Sequence, residues 1–133
     1  MKLLVVILVL LYFFRSKIFF LIGGNLLNSN EELAWKFIDM SAQVGYPEAL
    51  YLMGNMYKVG AEDVGIECDK EKAFSYYLKA AQKGHLDAAV AVAMDYYNGE
   101  CGQEMNRKAA KEWLEYAAER GSEHAKSRLE MFF

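Results

Sequence analysis

The chain matches itself at two offsets, and a chain that does so is limited to an array of like units. Shifted by 39 positions, Ala34, Ala42, Gln43, Gly45, Ala49 and Tyr57 fall on Ala73, Ala81, Gln82, Gly84, Ala88 and Tyr96, and Trp35 and Phe37 fall on Phe74 and Tyr76. Shifted by 37, Ala73, Ala80, Ala81, Gly84 and Ala88 fall on Ala110, Ala117, Ala118, Gly121 and Ala125, and Tyr76 falls on Trp113. The offsets differ by two because the loop near 59–68 is longer than the loop near 99–105.

Each unit reads as two helices. Asn30, Asp69 and Asn106 precede apolar-periodic runs and are good N-caps. Gly45, Gly84 and Gly121 follow the ends of helices, where a left-handed conformation suits glycine. Pro47 fits the first position of the next helix. The spacing predicts helices over 31–44, 46–58, 70–83, 86–98, 107–120 and 122–132. Recurrent alanines let neighbouring backbones approach, and recurrent aromatics fill the wider layers. No helix buries its apolar face alone, so stacking makes one continuous core. Phe133 holds the repeat position of Tyr57 and Tyr96 and is expected to close the end of that core.

Composition matters once the chain is divided. All 133 residues together carry 15 basic and 18 acidic side chains. Three of the basic ones (Lys2, Arg15 and Lys17) and none of the acids lie in residues 1–24, so the remainder has a net charge of −6. An acidic body is a poor counter-ion for phosphate backbones, which argues against nucleic acid as a partner. Two cysteines are too few for a disulfide scaffold or a four-thiolate zinc site.

Residues Leu3 to Phe14 are an unbroken apolar run, and Ile18 to Ile22 resume it after Arg15-Ser16-Lys17. Leu3 to Phe14 as a helix rise about 18 Å, short of a hydrocarbon core of roughly 30 Å. Residues 3–22 taken together are long enough to span one. Two readings stand: an uncleaved single-pass membrane anchor, or a signal peptide whose cleavage region fits badly. A short basic start before an apolar run favours export of the body to the periplasmic or extracytoplasmic side. The division expected is an anchor or uncleaved signal over 1–24, a linker over 25–30 and a repeat domain over 31–133. The domain subdivides into a half repeat (31–45), two repeats (46–84 and 85–121) and a terminal helix (122–133).

The pattern Ala88-x4-Ala93-x2-Tyr96-x2-Gly99, then Asn106-x3-Ala110-x2-Trp113-x3-Ala117-Ala118-x2-Gly121, resembles the Sel-one-like repeat. The preceding unit repeats it with Ala49, Gly54, Tyr57 and Gly60, then Asp69, Ala73, Tyr76, Ala80, Ala81 and Gly84. The resemblance covers about 31–133 and implies an all-α fold, a short right-handed α/α solenoid of helix-turn-helix repeats related to tetratricopeptide repeats, here preceded by an N-terminal hydrophobic helix. The second loop, Glu100 to Met105, lacks the apolar residue of the family turn, for which the first loop has Gly65-Ile66.

The search for chemistry is mostly negative. H-E-x-x-H, G-x-S-x-G and S-x-x-K are all missing from the sequence. His85 and His124 read as ordinary surface residues. A cysteine-rich branch of the resembled family is linked to β-lactam binding or hydrolysis. Its helix-bridging cysteines are replaced here by Ala81 and Ala88, or Ala118 and Ala125, so a hydrolase is the weakest alternative. No cofactor, metal or small-molecule substrate is expected. Cys68 and Cys101 sit in the two long loops, which stack as neighbours in a solenoid. They could form a disulfide between repeats if their Cα atoms come within about 7 Å, and otherwise remain free thiols.

In solenoids of the resembled type the first helix of each unit lines the concave side. Positions there that change residue type while the frame stays fixed are Tyr51 and Val90, Asn55 and Met94, and Lys58 and Tyr97. They share one helical face and form the candidate partner-binding surface. The function expected is a membrane-anchored, non-enzymatic protein-interaction adaptor in a membrane or envelope complex. A bacterial immunity protein neutralising a secreted effector such as a phospholipase is an alternative.

Overall fold

A computed structural model describes residues 2–26 and 30–133, with side chains at 2–7, 14–25 and 30–133. The helices are α1 (Lys2–Leu26), α2 (Glu31–Gln43), α3 (Pro47–Val59), α4 (Lys70–Gln82), α5 (Leu86–Asn98), α6 (Arg107–Glu119) and α7 (Glu123–Phe132), with a 3-10 turn at Glu62–Val64. Each helix packs on the next in chain order, so the array is an α-solenoid. In every unit α1, α3 and α5 are first helices and α2, α4 and α6 second helices; α7 is a first helix at the end.

The helix ends follow from local chemistry. The backbone N–H groups of Leu33, Lys72 and Ala109 donate to the side chains of Asn30, Asp69 and Asn106 at 2.9–3.0 Å. These bonds satisfy donors that a helix start leaves open. Gly45, Gly84 and Gly121 follow α2, α4 and α6 at φ +92°, +92° and +98°, a region costly for any residue with a Cβ. Both long loops close with the same bond: Asp69 N–H donates to the Tyr57 carbonyl at 2.7 Å, and Asn106 N–H to that of Tyr96 at 2.8 Å. Between these closures the loops differ. The first holds an antiparallel bridge between Ala61 and Ile66. The second turns through Cys101 and Gly102, both at positive φ.

Alanine runs through the core. Ala34, Ala49, Ala73, Ala80, Ala81, Ala88, Ala89, Ala93, Ala110, Ala117 and Ala125 are fully buried. Small side chains at a helix contact bring the axes to the short end of the usual 8–10 Å separation. Larger residues fill what remains: Ile38, Tyr77 and Leu114 hold one position of the second helix in successive units. Phe133 does not seal the core. It is 45% exposed and lies edge-on to Tyr97, while Phe132 packs closer to that ring at 4.7 Å.

The expected single-pass membrane anchor is corrected by the structure. Among the described residues, no helix is long and apolar enough to cross a membrane. The second half of α1 is committed to the solenoid. Ser41 Oγ donates to the carbonyl of Ser16, Phe20 packs on Tyr46 at 5.1 Å, and Phe19 lies 6.2 Å from Phe37. Residues buried against α2 are not available to lipid, and Arg15 and Lys17 divide what precedes them. The periplasmic placement of the body rested on that anchor and falls with it.

The contacts of α1 reproduce those of α3. A Cβ on Gly23 would sit 2.8 Å from the carbonyl oxygen of Ala34 and 2.8 Å from Ile38; one on Gly54 would sit 3.3 Å from the carbonyl oxygen of Ala73 and 2.6 Å from Tyr77. Ala34 and Ile38 are the repeat equivalents of Ala73 and Tyr77. The Phe20–Tyr46 ring contact is matched 31 positions later by Tyr51 and 39 later by His85, stacked at 4.5 Å. From Ser16 onward, α1 therefore packs as the first helix of a further unit. Leu3 to Ile7 extend beyond it and are exposed.

Candidate functional site

The six residues of the expected binding stripe lie on α3 and α5, all half-buried. Most are already engaged. Tyr51 lies between the rings of Tyr77 and His85. Asn55 Oδ1 accepts from the Tyr77 hydroxyl at 2.7 Å. Lys58 Nζ donates to Asp95 Oδ1 at 3.0 Å. Tyr97 is covered by Phe132, Phe133 and the Arg107 guanidinium, 5.1 Å from its ring centre. Val90 borders a groove with α7, and Met94 lies in the same row.

The polar part of this stripe forms a buried cluster between repeats. The Asp95 side chain is 1% exposed, and its Oδ2 has no hydrogen-bond partner among the described residues. Such a carboxylate is costly unless a cation faces it. Burial pulls the Lys58 ammonium down, but its hydrogen bond to Asp95 and the charges of Asp95, Cys101 and Glu100 hold it above the ordinary lysine value. Tyr77 is pushed well up by burial, reinforced by the charges of Tyr51, Asp95 and Cys101. Sequence reasoning selected Lys58 and missed Asp95. The available signal was a carboxylate in place of Met56 and Phe132, its equivalents in the neighbouring units.

The two cysteines stand as free thiols in the structure, the second of the two alternatives left open by the sequence. Cys68 is exposed and its Sγ donates to the Lys58 carbonyl at 3.3 Å. Cys101 is 3% exposed, in a left-handed turn at φ 54° that turns it toward Asp95. Burial, then the Asp95 charge, raises its thiol to about 11. One thiol therefore faces solvent while the other is held in the cluster.

His85 is not an ordinary surface residue. Its Nδ1 accepts from the Ala88 N–H at 3.1 Å and caps α5. Ser122 caps α7 in the same way from the equivalent position, at 3.2 Å. His124 is exposed, 3.4 Å from Asp87. Among the described residues no group of three or more His, Cys, Asp or Glu side chains is placed to hold a metal ion.

Two neighbouring grooves lie along the first helices. One, about 410 Å³, lies at the starts of α3, α5 and α7 and is bordered by Glu48, His85, Asp87, Glu123 and His124. The other, about 370 Å³, lies between α5 and α7 and is bordered by Val90, His124, Ser127, Arg128 and Met131. His124 belongs to both. The first is rimmed by carboxylates from three helices, and the second adds Val90 and Met131 as apolar walls. Together they offer an elongated, solvent-open surface suited to a peptide segment rather than an enclosed pocket suited to a small substrate.

Known proteins share this fold. A family model described as the Sel1 repeat matches residues 47–85 and 86–122. The structure is similar to that of a Sel1 repeat protein from Oxalobacter formigenes, with 32% identity and a TM-score of 0.81, over 88% of this chain and 89% of that one. It also resembles c5321, a protective antigen of uropathogenic Escherichia coli displaying an SLR fold, with 24% identity and a TM-score of 0.74, over 86% of this chain and 25% of that one. Helicobacter pylori cysteine rich protein B matches with 24% identity and a TM-score of 0.67, over 74% of this chain and 71% of that one. Among curated proteins, Chitin synthase regulatory factor 3 of Schizosaccharomyces pombe is 28% identical over 99 residues. Those residues are 74% of this chain but only 10% of that protein, so the chain spans about a tenth of the length of the relative it matches.

Proposed function

The chain belongs to the Sel1 repeat family, whose members are helical-repeat protein–protein interaction modules, and we propose that it is a non-enzymatic adaptor that binds a partner protein along its first-helix face. The observation that carries this reading is the pair of neighbouring grooves over α3, α5 and α7, which share His124, with a carboxylate rim at Glu48, Asp87 and Glu123 and apolar walls at Val90 and Met131. Of the six stripe residues, Val90 and Met94 present side chains to a partner. Tyr51, Asn55, Lys58 and Tyr97 shape the surface from beneath through their mutual packing. The short array suits one extended segment, and the carboxylate rim selects for basic residues in it. A relative named as a regulatory factor of an enzyme supports a role in controlling another protein rather than in turnover of a substrate.

The experiment is site-specific photo-crosslinking in the native host. A crosslinking residue at Val90 or Met131 is expected to capture the same protein, and one at the exposed Ser75 on α4 is not. With the crosslinking residue at Val90, Met131→Asp should abolish capture without loss of helical signal. Capture that is equal from Ser75, or unchanged in Met131→Asp, would reject the first-helix face.

A further inference from the structure

We infer that a second groove, between α4 and α6, is a slot for an arginine side chain of a partner protein. It is built from second helices, separate from the first-helix face, and does not depend on the reading given for that face.

The groove has a volume of about 420 Å³ and is bordered by Ala81, Gln82, Glu112, Trp113 and Tyr116. Ala81 is fully buried and forms the floor. Trp113 and Tyr116 are half-buried walls, edge to face at 5.6 Å and 75°. Tryptophan and tyrosine left half-open at a groove are the residue types that dominate interface energies. At the rim stand an amide and a carboxylate. Glu112 is 64% exposed and reaches Lys108 only at 4.0 Å, so its oxygens remain open to a donor from outside.

Aromatic faces beside a carboxylate select for a cation. Arginine fits better than lysine, because its planar guanidinium stacks on an indole while its N–H groups reach a carboxylate as a fork. The protein already uses one wall in this way: the Arg120 guanidinium lies over the Tyr116 ring at 3.8 Å. The slot is specific to one repeat. One unit earlier, Ser75 and Lys79 stand in place of Glu112 and Tyr116, while Ala42 and Gln43 match Ala81 and Gln82. That earlier position therefore lacks both the carboxylate and the second aromatic wall.

The test uses the full chain and a capped hexa-arginine peptide, with hexa-citrulline as its uncharged counterpart. Trp35 and Trp113 are the two tryptophans, so the unmodified protein has two indole N–H resonances, assigned with Trp113→Phe. Hexa-arginine is expected to shift the Trp113 resonance saturably and leave Trp35 in place, and hexa-citrulline to shift neither. By calorimetry, Tyr116→Leu should weaken hexa-arginine binding about fivefold or more, within the range for a desolvated cation–π contact, and Glu112→Gln about twofold or more, as for an exposed ion pair. Glu112 is exposed and its substitution keeps the fold, so this variant stands even if Tyr116→Leu unfolds. Equal affinity in Glu112→Gln, an unmoved Trp113 resonance, or an equal response to hexa-citrulline overturns the proposal.

Discussion

Lys58 Nζ lies 3.0 Å from Asp95 Oδ1, which ties the first helices of two neighbouring repeats at a carboxylate that is 1% exposed. Removing the lysine leaves a buried charge without its counter-ion. Lys58→Met is expected to lower stability by about 3 kcal/mol, the low end for breaking a buried pair because Lys58 itself is partly open to water. Adding Asp95→Met, the residue at the equivalent position 56, should restore most of it. Urea unfolding of the two single variants and the double variant measures the coupling. Additive losses would show that the two groups do not interact energetically.

Gly54 tests how closely first and second helices approach. An added Cβ would meet the Tyr77 ring at 2.6 Å and the Ala73 carbonyl oxygen at 3.3 Å. Alanine gains about 1 kcal/mol of helix propensity over glycine, but overpacking costs about 1–3 kcal/mol. Gly54→Ala should therefore destabilise despite the better helix former. The next repeat carries Ala93 opposite Leu114, so Tyr77→Leu should relieve the clash. A thermal melt in which Gly54→Ala is no more harmful in wild type than in the Tyr77→Leu background would refute close packing as the cause.

His85 makes stability depend on pH. Burial lowers its pKa from 6.5, opposed by the charges of Glu48 and Asp87. The folded chain thus binds fewer protons than the unfolded chain below that value, and stability falls as pH falls below 6.5 toward the folded pKa. The structural cause is direct: protonated Nδ1 cannot accept from Ala88 N–H. Melting temperature should drop between about pH 7.5 and pH 5.5, and the drop should shrink in His85→Ser, which carries the cap that Ser122 supplies to α7. An unchanged drop in His85→Ser would assign the effect to other groups.

The two thiols should differ in reactivity. Cys68 is exposed, whereas Cys101 is buried and raised to about 11. Native labelling at about pH 8 should modify Cys68 alone, because the thiolate is the reactive form. Unfolding should release the second thiol. Mass spectrometry of the labelled chain distinguishes this from equal modification of both, which would mean that Cys101 is open to solvent.

Much of the solenoid was readable because helix ends and turns depend on nearby residues. Asn30, Asp69 and Asn106 cap their helices whatever packs on them, and Gly45, Gly84 and Gly121 adopt a left-handed conformation for reasons contained in the residue. The alanine pattern could be read in the same way, since its offset reports which faces recur. The candidate site was only partly readable. Position on the face could be inferred for Tyr51, Asn55, Lys58, Val90, Met94 and Tyr97. Which of them are free could not, because that depends on Tyr77, Asp95, His85 and Phe132 arriving from other helices.

The residue sequence by itself determined the helical frame, its caps and its two offsets, because these rest on short-range geometry and on the conformational freedom of single residues. The tertiary structure decided what the first helix is for. Gly23 packs as Gly54 does, but the two lie 31 positions apart rather than 39, since a shorter connection shifts the register and hides the equivalence from self-comparison. It also decided that Cys101 turns inward, that Asp95 meets Lys58 and that Trp113 and Tyr116 wall a groove. Each of these is a meeting of side chains from different helices, and such meetings are set by how the helices stack.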